Sequence, residues 1–123
     1  MIKQIINEFR KQNGRPPVSF DDYIENQYCF WHCHYMARIQ ECCHAPENLR
    51  NGKAEAVGGR GIFHDPYDTL RAIVFGAPDE TGKITGGFAN SPEHREIILM
   101  DNLAGAFHMD FMNHFVFVTI RGW

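Results

Sequence analysis

A chain of 123 residues, 44 % of them apolar, has the size of one domain and enough apolar material for a substantial core. Its net charge of −3, with no long basic run, gives no electrostatic case for nucleic acid. No stretch approaches the roughly 20 apolar residues that a membrane-crossing helix needs, so no transmembrane segment is expected.

Ile2, Ile5, Ile6 and Phe9 recur at helical spacing, with Lys3, Asn7, Arg10 and Lys11 between them. Gly14 ends this first helix and Pro16-Pro17 prevents its return. A second helix is expected from Ser19 or Asp21, both good N-caps, to about Glu41. Ile24, Tyr28, Trp31, Tyr35 and Ile39 step along it as one stripe, predicted to be buried. Pro46 and Asn51-Gly52 mark an irregular connection. Residues 54–57 read as a short strand closed by Gly58-Gly59.

Asp65-Pro66 is an N-cap followed by proline at the first helical position, and Gly76-Ala77-Pro78 ends that third helix. Residues 79–87 are polar and glycine-rich, hence a surface loop. Ser91-Pro92 repeats the helix-start signal, with Ile97, Ile98 and Leu99 carrying a fourth helix to about Asp101. Residues 104–109 and 115–121 flank Asp110-Phe111-Met112-Asn113 as a hairpin. The second of these strands is apolar on both faces, which predicts a central strand covered on both sides. Helices first and a hairpin last imply an α+β fold: a mostly antiparallel sheet with helices packed on it, in one domain over 1–123.

The four cysteines, at 29, 33, 42 and 43, are crowded rather than spread as a disulfide framework, so free thiols are expected. Met1-Ile2-Lys3-Gln4-Ile5 lacks the apolar run and cleavage site of a secretory leader, and Ile2 excludes N-myristoylation. A native start at Met1 implies a cytoplasmic protein; a leader removed beforehand implies a secreted one.

Three residues carry the chemistry. His44 and Glu55 lie eleven positions apart across a helix end, and His94 sits in Ser91-Pro92-Glu93-His94-Arg95. Brought together, they offer two imidazole nitrogens and one charged oxygen, a set suited to a divalent metal or to proton handling. Glu55 can instead orient a histidine, fixing its tautomer by accepting an imidazole N–H. Ser91 invites a Ser–His reading, but at three residues before His94 it is better explained as an N-cap. Cys29, Cys33, His32 and His34 crowd one helix, where a zinc half-site or a Cys33 nucleophile beside His44 competes with ordinary burial. His64, His108 and His114 are assigned no role.

The order of these elements resembles the CAP superfamily: cysteine-rich secretory proteins, antigen 5 and pathogenesis-related-1 proteins, in their short bacterial form. Asn7-Glu8-Phe9-Arg10 followed by Pro17-Val18-Ser19-Phe20-Asp21 is similar to the family's opening. His44 follows the long second helix, Ala54-Glu55-Ala56-Val57 resembles the family's "G-E-N-I" element, and Ser91-Pro92-Glu93-His94-Arg95 with Ile97-Ile98-Leu99 matches its "S-P-x-H-R-x-x-I-L" element. The resemblance implies a three-layer α-β-α sandwich with a central cavity holding two histidines and two acidic residues, which in several members binds zinc. The glycine and asparagine that flank the motif glutamate are Ala54 and Ala56 here, and Phe88 stands for the usual tryptophan. The second acid has no clear counterpart; Asp68 is the nearest candidate.

The resemblance therefore implies a metal-binding cavity of His44 and His94, with Glu55, Asp68 and Ser91 around it, serving to bind a protein or a small apolar ligand rather than to turn it over. One rival is a zinc-dependent hydrolase with Glu55 as general base for a bound water. The other is an interaction module without a live site, using the aromatic second helix or the Phe111-Met112 tip.

Overall fold

The apolar face read from Ile2, Ile5, Ile6 and Phe9 is buried along α1 (Ile2–Gln12), the first element of a computed structural model describing residues 1–123. Asp21 caps the next helix, its carboxylate accepting the Ile24 N–H at 2.9 Å. That helix is built in three pieces: α2 (Asp22–Ile24), a π-helical turn (Glu25–Cys29) and α3 (Phe30–Ile39). There follow α4 (Glu47–Arg50), β1 (Ala54–Gly61), α5 (Pro66–Phe75), a small ribbon of β2 (Ala77–Pro78) and β3 (Ile84–Thr85), a 3-10 turn (Phe88–Asn90), α6 (Pro92–Ile98), β4 (Leu103–Asp110) and β5 (Phe115–Gly122).

The fold is α+β around one antiparallel sheet ordered β1-β5-β4, so the strand expected at the centre is there. Alternation along β5 splits its side chains between two cores. Val116, Val118 and Ile120 join a cluster with α1, α5 and α6, while Phe117 joins Cys29, Cys33 and Met36 of the second helix with Ala104 and Ala106. Helices thus cover both faces, and each buried Ile or Leu contributes about 1.5–3 kcal/mol of burial.

Three expectations are corrected. The stripe Tyr28, Trp31, Tyr35 and Ile39 is not the buried one: Trp31 is 63 % exposed, and Tyr35 and Ile39 are also exposed. The buried face continues from Ile24 to Cys29, Cys33 and Met36. The step from Ile24 to Cys29 is five residues, the hydrogen-bond span of the intervening π turn, and that one extra residue moves the aromatic stripe off the core. Excising the exposed Asn26 is therefore expected to give a continuous α-helix with the same buried cysteines. Cys33 should stay unreactive toward a thiol reagent without denaturant, and rapid labelling would contradict the register assigned here.

The second correction concerns β1, which does not stop at Gly58-Gly59 but runs through both to Gly61. A Cβ on Gly59 would lie 2.6 Å from a Phe115 ring carbon and 2.7 Å from Cys42 Sγ. The glycine here permits a close approach rather than ending a strand. Third, the 79–87 loop is shorter than expected, because Ala77 and Pro78 pair with Thr85 and Ile84. Asp79 organises its turn by accepting from the Thr81 N–H, the Thr81 hydroxyl and the Lys83 N–H. No helix is long and apolar enough to cross a membrane.

Candidate functional site

In the sheet register Glu55 on β1 stands directly opposite Arg121 on β5. Both point to the face covered by α3, and both side chains are buried, at 0 % and 1 % exposure. Glu55 Oε2 accepts from Arg121 Nε at 3.1 Å and from the Thr119 hydroxyl at 3.1 Å. Its Oε1 accepts from the Ala45 N–H at 2.8 Å and from His44 Nδ1–H at 3.1 Å. Burial alone works to raise the Glu55 pKa; the Ala45 amide, then Arg121, His32 and His44, outweigh it and hold the carboxyl below its ordinary 4.5.

The bond to Glu55 has a chemical consequence for His44. Its Nδ1 must carry the proton, so the neutral ring keeps its lone pair on Nε2. The ring is about half exposed. His94 lies in the first turn of α6, partly buried, with the Phe88 ring edge-on at 5.1 Å between centroids. Burial, and next the neighbouring His44, lower the His94 pKa below 6.5 against the opposing pull of Glu93. The two imidazoles are thus within electrostatic reach of each other, but they line different cavities. His94 lines one of about 460 Å³ with Ser91, Phe88, Ile73 and Val57 to Arg60. His44 lines another of about 530 Å³ beside α3.

Of the other candidates, Ser91 occupies the N-cap position of α6 and lines the cleft beside His94, but its side chain makes no capping bond, against expectation. Asp68 is not brought to the site. It sits in the first turn of α5, where its carboxylate faces His64 Nδ1 at 3.6 Å and its own N–H bonds to the Asp65 cap. The cysteine-histidine patch is divided among different surroundings. Cys29 and Cys33 are buried, and burial pushes the Cys29 thiol up to about 12 and raises Cys33 as well. Both are held as thiols, poor ligands and poor nucleophiles. His32 donates to the Cys43 carbonyl at 2.6 Å, while His34 lies tilted against His108 at 4.1 Å between ring centroids. All four cysteines are free. No three His, Cys, Asp or Glu side chains gather as a ligand set.

Sequence reasoning found Glu55 and missed its partners. A signal for them was present: Thr119 and Arg121 interrupt an apolar strand at inward-facing positions, and polar groups there must be bonded to something. The chain matches no protein-family model and no curated protein.

Proposed function

We propose that this chain is a CAP-type domain whose His44–His94 region binds a divalent metal, zinc in the first instance, and that it serves to bind a ligand or partner rather than to turn one over. The observation that carries the reading is the clamp on Glu55. Four donors occupy its two oxygens, so it orients His44 through Nδ1 and leaves Nε2 as the donor atom. His94 complements this. Its lowered pKa keeps the ring neutral at physiological pH, the form a metal requires.

Because His44 and His94 line separate cavities, an open site would require the two rings to turn toward one ion, with water or a ligand oxygen completing the shell. Zinc held there would supply a Lewis-acidic centre for an oxygen-bearing ligand. The same clamp argues against the hydrolase reading. A carboxylate has about four lone-pair directions, and Glu55 has none left to take a proton from water.

Calorimetric titration with zinc tests the proposal. Wild type should bind one equivalent, and His94→Ala should weaken binding about tenfold or more, the usual scale for disturbing a site of this kind. Affinity should fall as pH drops through the imidazole range, since each ligand must lose its proton. An unchanged heat in His94→Ala would remove His94 from the ligand set and the proposal with it.

A further inference from the structure

The cavity beside α3 has features the metal reading does not use. Its volume is about 530 Å³, within the range of small-molecule sites. From α3 come Trp31 and Tyr35, one helical turn apart, and from α4 and the residue that caps it come Leu49 and Pro46. Trp31, Tyr35 and Leu49 are all substantially exposed, which leaves a costly apolar surface facing this hollow. The π turn is what delivers the two aromatics here instead of to the core.

Arg121 also lines the cavity and is 1 % exposed. Its Nε serves Glu55 and its Nη1 donates to the Leu49 carbonyl at 2.6 Å, but its buried Nη2 has no acceptor. A buried guanidinium nitrogen without a partner is unusual in a folded chain and calls for an acceptor. No Asp or Glu lines the cavity, although the chain as a whole carries a charge of −3.

We propose that this cavity binds a small aromatic carboxylate, its ring against Trp31 and Tyr35 and its carboxylate accepting from Arg121 Nη2, a nitrogen closed to solvent here that a small shift of the lining uncovers. A planar apolar body matches the aromatic and aliphatic lining, and a guanidinium with one unpaired nitrogen can give a carboxylate a charge-assisted hydrogen bond. The assignment stands apart from metal binding although His44 borders the cavity, so the two can fail separately.

The test uses 2-naphthoate and its uncharged analogue 2-naphthalenemethanol, titrated calorimetrically into the full chain with a chelator present. The acid should bind saturably at one site, about tenfold tighter than the alcohol, the scale of one charge-assisted hydrogen bond. Trp31→Ala, a change at an exposed position, should weaken the acid at least severalfold without altering the melting temperature. Arg121→Lys should erase the preference for the acid; because its buried site can resist substitution, the wild-type comparison of acid and alcohol is decisive where that variant does not fold. Equal affinity for the two probes, no saturable binding at millimolar acid, binding abolished by the chelator, or an unchanged affinity in Trp31→Ala would each overturn the proposal.

Discussion

Glu55→Ala is expected to cost about 3–5 kcal/mol of folding stability, the penalty typical of removing one partner from a buried ion pair. The carboxylate is fully buried opposite a guanidinium that is itself 1 % exposed. Its loss leaves the Arg121 charge uncompensated and strands the Ala45 N–H and the Thr119 hydroxyl as well. Arg121→Ala should cost a comparable amount for the mirror reason. The double variant Glu55→Ala with Arg121→Ala should lose clearly less than the sum of the single losses, because neither charge is then left alone in the interior. Urea denaturation of the four proteins measures this directly, with an unchanged slope confirming that the same surface unfolds. Strict additivity would mean that the two groups stand in the sheet without supporting each other.

The same pair sets an acid dependence whose sign is fixed. Glu55 titrates lower in the folded chain than its ordinary 4.5, so the unfolded chain binds more protons across that interval. The stability Glu55 contributes is complete above pH 4.5 and is lost as pH falls through 4.5 toward the folded value. Asp79 and Asp110 are also held low, by hydrogen bonds from Thr81 and from Asn113 respectively, and act in the same direction from exposed turns. Subtracting the pH profile of Glu55→Gln from that of wild type therefore isolates the buried group. The difference should vanish as pH descends below the folded titration.

Local signals were legible because they act locally. Asp21 and Asp65-Pro66 cap their helices as read, since an N-cap needs only a side-chain oxygen and the next few amides. The two-sided apolar pattern of β5 identified a central strand because burial on both faces leaves no place for polar alternation. The aromatic stripe was misread because periodicity assumes 3.6 residues per turn throughout, and one π turn between Glu25 and Cys29 rotates everything after it. Both stripes, Tyr28-Trp31-Tyr35 and Cys29-Cys33-Met36, have helical spacing, and composition favours the larger aromatics; only the π turn reverses the choice. At the site, Glu55 is buried in a set of four donors, one of them His44. Asp68 rests on resemblance alone, and the structure places its carboxylate beside His64 and among the lining residues of neither cavity. His44 and His94 come within electrostatic reach from separate elements, yet β1 and its neighbours place their rings on different hollows.

Arg10 gives the second large expected effect, and it too is a charge that periodicity assigns to the surface. It sits beside Phe9 on α1 yet is 1 % exposed. Its Nε donates to the Pro16 carbonyl at 3.0 Å, and its Nη1 donates to the carbonyls of Ile98 at 3.1 Å and Met100 at 2.6 Å. Ile98 is the last residue of α6 and Met100 lies two residues beyond it, at the end where the final carbonyls have no partner within the helix and the dipole favours a cation. One side chain thus ties α1, the Pro16-Pro17 turn and the end of α6 together across 90 positions of sequence. Arg10→Met keeps most of the volume and removes all three donors, and should cost about 2–4 kcal/mol because the carbonyls are left unpaired. Arg10→Lys should recover only part of this, since one ammonium cannot reach three acceptors that a flat guanidinium serves along two edges. If chemical denaturation finds lysine equal to arginine, charge alone stabilises the helix end and the geometry of the fork contributes nothing.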